Sequence, residues 1–286
     1  MALIMDPPGP RCQQTSNVCC LGRKSDSVKE GEMTYSSKLG FRQIAARIRE
    51  EIVNGVYPPA TVFPAEPVLA ERYGASRSLV NRAMQVLAAE GMIRPRQGRG
   101  TMVTYIPPML HSPARYSREA REGGQARGAF DAEVRAAGLE PQHEITTERA
   151  VPPDDVADAL GLARGEENAL VRRRRLLASG IPVRLNASWF PLSIAEGTVL
   201  EEEGPVIHGG VKSALAELGY TQTEATERII VRPPTDAEAD ALEISPERTV
   251  LDIFHVGRTE GGQAVEVTTT VTPAHYLVIE NTFPLS

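Results

Sequence analysis

Residues 66–105 read EPVLAERYGASRSLVNRAMQVLAAEGMIRPRQGRGTMVTY. Glu66–Tyr73 fits a short helix that Gly74 stops. After one turn, Ser76 is placed to cap a second helix, Arg77–Glu90, whose positions Val80, Ala83, Met84 and Leu87 share one apolar face. Gly91 ends it, and Met92–Arg96 and Thr101–Tyr105 read as short strands around the basic hairpin Gln97-Gly98-Arg99-Gly100. Upstream, Phe41, Ile44, Ala45, Ile48 and Ile52 recur at three and four residues. That is the stripe of an amphipathic helix, closed by Asn54-Gly55 before Tyr57-Pro58-Pro59 forces an extended turn.

Helix, helix, turn, helix, hairpin is the layout of a winged helix-turn-helix. There the second helix of the pair enters the major groove by its N-terminal residues, and the hairpin reaches an adjacent groove. Ser76 and Ser78 then offer hydroxyls to phosphates, and Arg77 offers two guanidinium donors to a guanine edge. Asn81, one turn on, can pair with adenine, and Arg82 and Arg96 are counted with this face. Gly98 lets the backbone approach the duplex, and Arg99 suits a narrow minor groove. The charge agrees: residues 41–107 carry +4 and residues 108–286 carry −11, within a total of −6. A basic module joined to an acidic one is expected where only the first meets a polyanion.

These residues carry a resemblance. Gln43-Ile44-Ala45, Ile52 through Pro58, Phe63 through Glu66, Leu69 through Gly74, Ser76-Arg77 and Glu90 through Thr101 together resemble the DNA-binding domain of GntR-family bacterial transcription regulators. The family usually has Arg at the position of Pro67 and often at that of Asn81, so the operator sequence is expected to differ while the binding mode holds.

The second half holds an internal repeat. Pro152-Pro153-Asp154-Asp155 with Ala157-Asp158-Ala159-Leu160 recurs as Pro233-Pro234-Thr235-Asp236 with Ala239-Asp240-Ala241-Leu242. Each copy leads to an apolar strand, Ala169–Ala178 or Thr249–Arg258, then a Gly turn, then an alternating strand, Val183–Phe190 or Val265–Thr272; one longer helix, Ile207–Leu218, lies between them. Two helix-hairpin copies predict a pseudo-two-fold antiparallel sheet with helices packed on it, an α+β domain. Corresponding positions are then expected to face each other, Arg184, Asn186 and Ser188 against Glu266, Thr268 and Thr270, a polar face suited to lining a ligand site. In Arg172-Arg173-Arg174-Arg175 alternate residues point opposite ways, and Arg172 with Arg174 suit a phosphate or carboxylate.

Residues from about 116 to 284 resemble the UTRA effector-binding domain of HutC-type GntR regulators, through the Arg-rich strand before Gly180, Ala187 through Pro191, Ala241-Leu242, and Glu266 through Tyr276. The resemblance implies a chorismate-lyase-like fold and effector contacts at Arg174, Ser188 and Glu266, with Tyr276 counted beside them. Leu176 stands where a second Arg is often seen, and Pro273-Ala274-His275-Tyr276 stands where Gly-Asp-Arg-Tyr is usual.

The expectation is therefore a disordered tail at 1–36, a winged helix-turn-helix at 37–106, a linker at 107–117 and a UTRA domain for effector binding and dimerisation at 118–286. Such a chain is a ligand-responsive DNA-binding regulator, a repressor in the usual case. It is expected in the cytoplasm as a homodimer on a pseudo-palindromic operator, with a small-molecule effector. No run approaches the ~18–20 apolar residues of a membrane helix. Cys12, Cys19 and Cys20 all fall in the tail, which excludes a structural disulfide framework, and His111, His143, His208, His255 and His275 show no metal spacing. No Gly-x-Ser-x-Gly elbow or phosphate loop appears, and Lys212 is the only lysine after Lys38, too little for a fused pyridoxal-phosphate enzyme. Neither cofactor, metal nor catalysis is expected. The alternatives are an enzyme that retains the chemistry of the chorismate lyase fold, and a constitutive DNA-binding protein whose second domain only dimerises.

Overall fold

The computed structural model describes residues 39–96, 98, 100–123, 127–202 and 207–283. The tail with its three cysteines, and Arg99 in the hairpin, lie outside the described residues. The helices are α1 (Phe41–Val53), α2 (Glu66–Tyr73), α3 (Arg77–Ala89), α4 (Arg118–Glu122), α5 (Ala129–Ala136), α6 (Asp154–Leu160), α7 (Leu192–Ala195), α8 (Gly210–Glu217) and α9 (Asp236–Leu242). The strands are β1 (Val62–Phe63), β2 (Ile93–Arg96), β3 (Gly100–Val103), β4 (Met109–His111), β5 (Pro141–Ala150), β6 (Ala169–Ala178), β7 (Ile181–Pro191), β8 (Gln222–Arg232), β9 (Val250–Thr259), β10 (Ala264–Pro273) and β11 (Leu277–Ile279).

In the N-terminal module, Ile44, Ile48 and Ile52 of α1 meet Leu69 of α2 and Val80, Ala83 and Leu87 of α3 in one core. Helix α1 starts at Gly40, whose backbone N–H is satisfied by the Gln43 amide oxygen at 2.9 Å. Gly74 closes α2 in the left-handed conformation, and the Ser76 hydroxyl accepts from the Leu79 N–H to open α3. The sheet has three strands in the order β1-β3-β2; Val62–Phe63, too short to show a pattern in the sequence, pairs with β3.

The C-terminal module is a six-stranded antiparallel sheet in the order β5-β6-β7-β10-β9-β8. Its midline falls between β7 and β10, as the repeat predicts. The sequence reading omits both outer strands, β5 and β8, whose surfaces are too exposed to show an apolar run. On one face Val171, Trp189, Val256 and Val267 pack against Val156 and Leu160 of α6. The alternate residues of the same strands face the other way, toward α5 and α8. Helix α8 is shorter than expected because Gly209 and Gly210 both have positive φ, which delays its start.

The two modules touch through named contacts. The Tyr276 hydroxyl donates to the Thr104 carbonyl at 3.1 Å, and Ala60 packs against the cluster of Ile106, Met109 and Leu277. Gly91, at φ +76°, lies under the Arg248 guanidinium, so a β-carbon there would sit 2.1 Å from Arg248 Nη2. Gly91→Ala is expected to cost about 1–2 kcal/mol, because an L-residue must take a left-handed backbone and displace Arg248. Urea unfolding of the full chain measures it; an unchanged midpoint would refute the strain.

Candidate DNA-binding face and effector cavity

At the start of α3, Ser76, Arg77 and Ser78 are all exposed, and Arg77 has no ion-pair partner among the described residues. The Ser76 and Ser78 hydroxyls lie 3.0 Å apart. Arg82 is also exposed, its guanidinium stacked 4.1 Å from the centroid of Phe41. Gly98, at φ +72°, is exposed at the tip between β2 and β3.

Two expected contacts are spoken for. Asn81 donates from Nδ2 to Glu66 at 2.6 Å and accepts at Oδ1 from Gln85 at 2.9 Å, so both ends of its amide are committed within the protein. Arg96 is ion-paired to Glu243 of the C-terminal module, as is Arg94. Neither pairing is visible from the local pattern, since Arg96 and Glu243 are 147 positions apart.

The cavity-facing residues of the large sheet floor a hollow of about 970 Å³, mouth included. Arg172, Arg174, Asn186, Glu266, Thr268 and Thr270 line it, with the N-terminal ends of α5 and α8 as walls. Cross-strand register sets Arg172 opposite Ser188 and Ser188 opposite Thr268, then Arg174 opposite Asn186 and Asn186 opposite Thr270; the facing pairs are thus crossed relative to the expected ones, because antiparallel strands run their numbering in opposite directions. Ser188 is fully buried beneath the lining, bonded to Arg174 and 2.6 Å from the Thr268 hydroxyl. Tyr276 does not reach the cavity: its ring belongs to the intermodule cluster and its hydroxyl is held by Thr104.

Cations predominate. Seven basic residues face the hollow against three carboxylates, those of Asp131, Glu227 and Glu266. Arg172 donates to the carbonyls of Leu200 and Glu202, both at 2.7 Å. Arg184 is bound by Glu133 at 2.9 Å, and Lys212 lies 3.5 Å from Glu266. Arg174 spends only Nη2 on the Ser188 hydroxyl; its buried Nε has no partner, and neither does Oδ1 of Asn186. Burial pulls the Arg174 guanidinium down to about 10, which leaves it cationic at neutral pH. Burial pushes the Glu266 carboxyl up, but Lys212 and His255 with hydrogen bonds from Gln222 and Thr268 bring it down to about 2.

The walls are what sequence reasoning missed. Glu227 accepts from His111 Nε2 at 2.9 Å, Tyr116 Oη at 2.7 Å and His255 Nδ1 at 3.0 Å. His255 Nε2 then takes a hydrogen bond from Lys212 at 3.0 Å, which assigns its tautomer. Two of the five histidines that look scattered along the chain, His111 and His255, are thus donors to one carboxylate.

The comparisons with known proteins follow the same division. Residues 41–103 match the bacterial regulatory proteins of the gntR family, and residues 136–277 match the UTRA domain. An uncharacterized HTH-type transcriptional regulator of Streptomyces coelicolor is 31% identical over 234 residues, 79% of this chain and 86% of its own length. The chain belongs to the GntR family. As a GntR-family member it is a transcription regulator, with a DNA-binding helix-turn-helix and an effector-binding UTRA domain, and not an enzyme. The mannosyl-D-glycerate transport/metabolism system repressor MngR of Escherichia coli is 23% identical over 229 residues, 79% of this chain and 88% of its own length. A crystal structure of PhnF from Mycobacterium smegmatis superposes with a TM-score of 0.52 at 19% identity, covering 85% of this chain and all of that one, and so shares the fold. Among the described residues no helix is long and apolar enough to cross a membrane.

Proposed function

We propose that this GntR-family regulator, of the HutC type, is a cytoplasmic repressor that binds a pseudo-palindromic operator as a homodimer and is released by a small anionic effector. Its parts are a tail at 1–36, a DNA reader at 37–106, a linker at 107–117 and a sensor at 118–286. Ser76, Arg77, Ser78 and Arg82 meet the duplex with the Gly98 hairpin, Arg77 reading a base edge and the hydroxyls meeting phosphates. The repressor relatives MngR of Escherichia coli and NagR of Bacillus subtilis support the direction of control. A two-fold operator suits two copies of one reader.

One observation carries the effector reading: in a hollow rich in cations, Arg174 keeps a buried donor and Asn186 a buried acceptor, both without partners. Buried polar atoms left unpaired are costly. A carboxylate or phosphate at Arg174 with an adjacent hydroxyl or amine at Asn186 satisfies both. Such a ligand controls DNA binding only through its differential affinity for the two arrangements of the heads.

A thermal-shift panel of small carboxylates and phosphorylated metabolites tests this. A ligand at ~100 times its Kd is expected to stabilise the wild type by about 2.7 kcal/mol. Arg174→Ala should abolish that shift and the ligand's release of DNA while leaving ligand-free DNA binding intact. A hit that stabilises Arg174→Ala equally would move the effector elsewhere.

A further inference from the structure

Glu243 is the residue that follows α9, and it stands at φ 54°, ψ 41°, a left-handed cap. At the matching place in the repeat, the residue that follows α6 is Gly161, at φ 68°, ψ 32°. Glycine takes that conformation without steric cost, whereas a glutamate does so at a penalty, and a side chain held in such a backbone is a pointer to function. The Glu243 side chain is engaged on both oxygens. Oε2 accepts from Arg94 and Arg96 of β2, and the Glu243 carbonyl accepts a further bond from Arg94. Oε1 accepts from Arg175 of β6 at 3.0 Å, and Arg175 also donates to the Ala241 carbonyl at 2.6 Å. Burial pushes the carboxyl up, and Arg94 and Arg96 outweigh it and hold it below the usual carboxylate range.

The two β2 arginines lead directly into the hairpin that a winged helix lays on DNA. Two guanidiniums converging on one carboxylate use the donors that would otherwise take phosphate oxygens. On the far side of the carboxylate, Arg175 follows Arg174 in the chain and points to the opposite face of the sheet, so one strand carries both a cavity cation with an unpaired buried donor and the third arginine at Glu243.

We propose that Glu243 is a positioning residue for DNA binding: a clasp that stands in for a DNA phosphate, fastens the reader to the sensor and withholds Arg94 and Arg96 from the duplex until it opens. The proposal rests on the established DNA-binding role of the family and is independent of which effector the cavity takes. It makes the unclasped head the form with more phosphate contacts. A ligand that shifts β6 at Arg174 acts on the clasp one residue away.

The test is the salt dependence of binding to a random-sequence duplex of ~30 bp, followed by fluorescence anisotropy between ~50 and ~200 mM salt, where each phosphate neutralised adds about 0.9 to the slope. Glu243→Gln in the full chain is expected to bind several-fold more tightly, with a slope steeper by about one to two. Glu243→Gly, which also relieves the left-handed backbone, should do the same without loss of folding stability. Adding Arg96→Gln to Glu243→Gln should remove about one unit of the gained slope. Glu247→Gln removes the same charge from an exposed site four residues on and should change nothing. An unchanged slope in both Glu243 variants, weaker binding, or an equal gain in Glu247→Gln overturns the clasp. If the wild type fails to bind any duplex at low salt, the fault lies instead with the reader.

Discussion

Glu133→Ala is expected to destabilise the C-terminal module by about 3–5 kcal/mol, because it leaves buried guanidinium charge without a counterion. The Glu133 side chain is 2% exposed on the inward face of α5. It accepts from Arg184 at 2.9 and 3.2 Å and from Arg115 at 2.8 Å, and the Arg184 guanidinium also lies 5.4 Å from the centre of the Phe130 ring. Arg184 is itself only 1% exposed, so little water reaches its guanidinium to replace the carboxylate. Differential scanning calorimetry of the full chain would show the loss; a fall of less than about 1 kcal/mol would mean the module relaxes to hydrate the arginines.

The same carboxylate gives a pH signature. Burial pushes the Glu133 carboxyl up, and Arg184 and Arg115 together outweigh it and hold it below the ordinary range. A group whose folded pKa is depressed contributes stability that is fully present above its unfolded value, ~4.3, and is lost as pH falls through the folded value. Wild type should therefore weaken below about pH 4, and Glu133→Gln should flatten part of that slope while starting from lower stability.

Glu133 also marks the limit of what the sequence makes legible. The reader is legible because its information is local: Ile44, Ile48 and Ile52 recur at helical spacing, Gly74 and Ser76 punctuate, and all of it falls within sixty residues. The cavity floor is legible for a related reason, since a period of two combined with the internal repeat puts Arg174, Asn186, Glu266 and Thr268 on one face. The walls are different. His111, Arg115 and Tyr116 come from the short strand β4 and the single helical turn Pro113–Tyr116 after it, and their partners Glu227, Glu133 and His255 are supplied from distant strands and helices. A charge on an inward helical position looks like a solvated residue until its counterion is placed. Arg96 and Tyr276 are engaged across the two modules for that reason, Arg96 by Glu243 and Tyr276 by the Thr104 carbonyl. Asn81 is engaged locally, its amide donating to the Glu66 carboxylate on the preceding helix.

The second large effect falls on DNA recognition and isolates one residue of the exposed face. Arg77→Ala is expected to weaken operator binding by about 1–3 kcal/mol, roughly five- to 150-fold, and to relax base preference at one position per half-site. Arg77 is the first residue of α3, behind the Ser76 cap, and is exposed with no ion pair among the described residues to restrain it. Its donors are thus available for a base edge, in contrast to those of Asn81 and Arg96. The relevant comparison is with Ser78→Ala, whose hydroxyl is suited to phosphate and carries no sequence information. That substitution should lower affinity uniformly across sequences, whereas Arg77→Ala should flatten one column of a binding-site selection profile and leave the others intact. Selection from a randomised duplex library with both variants measures this directly. An Arg77→Ala profile identical to wild type would show that α3 meets only the backbone, and base readout would then fall to the hairpin.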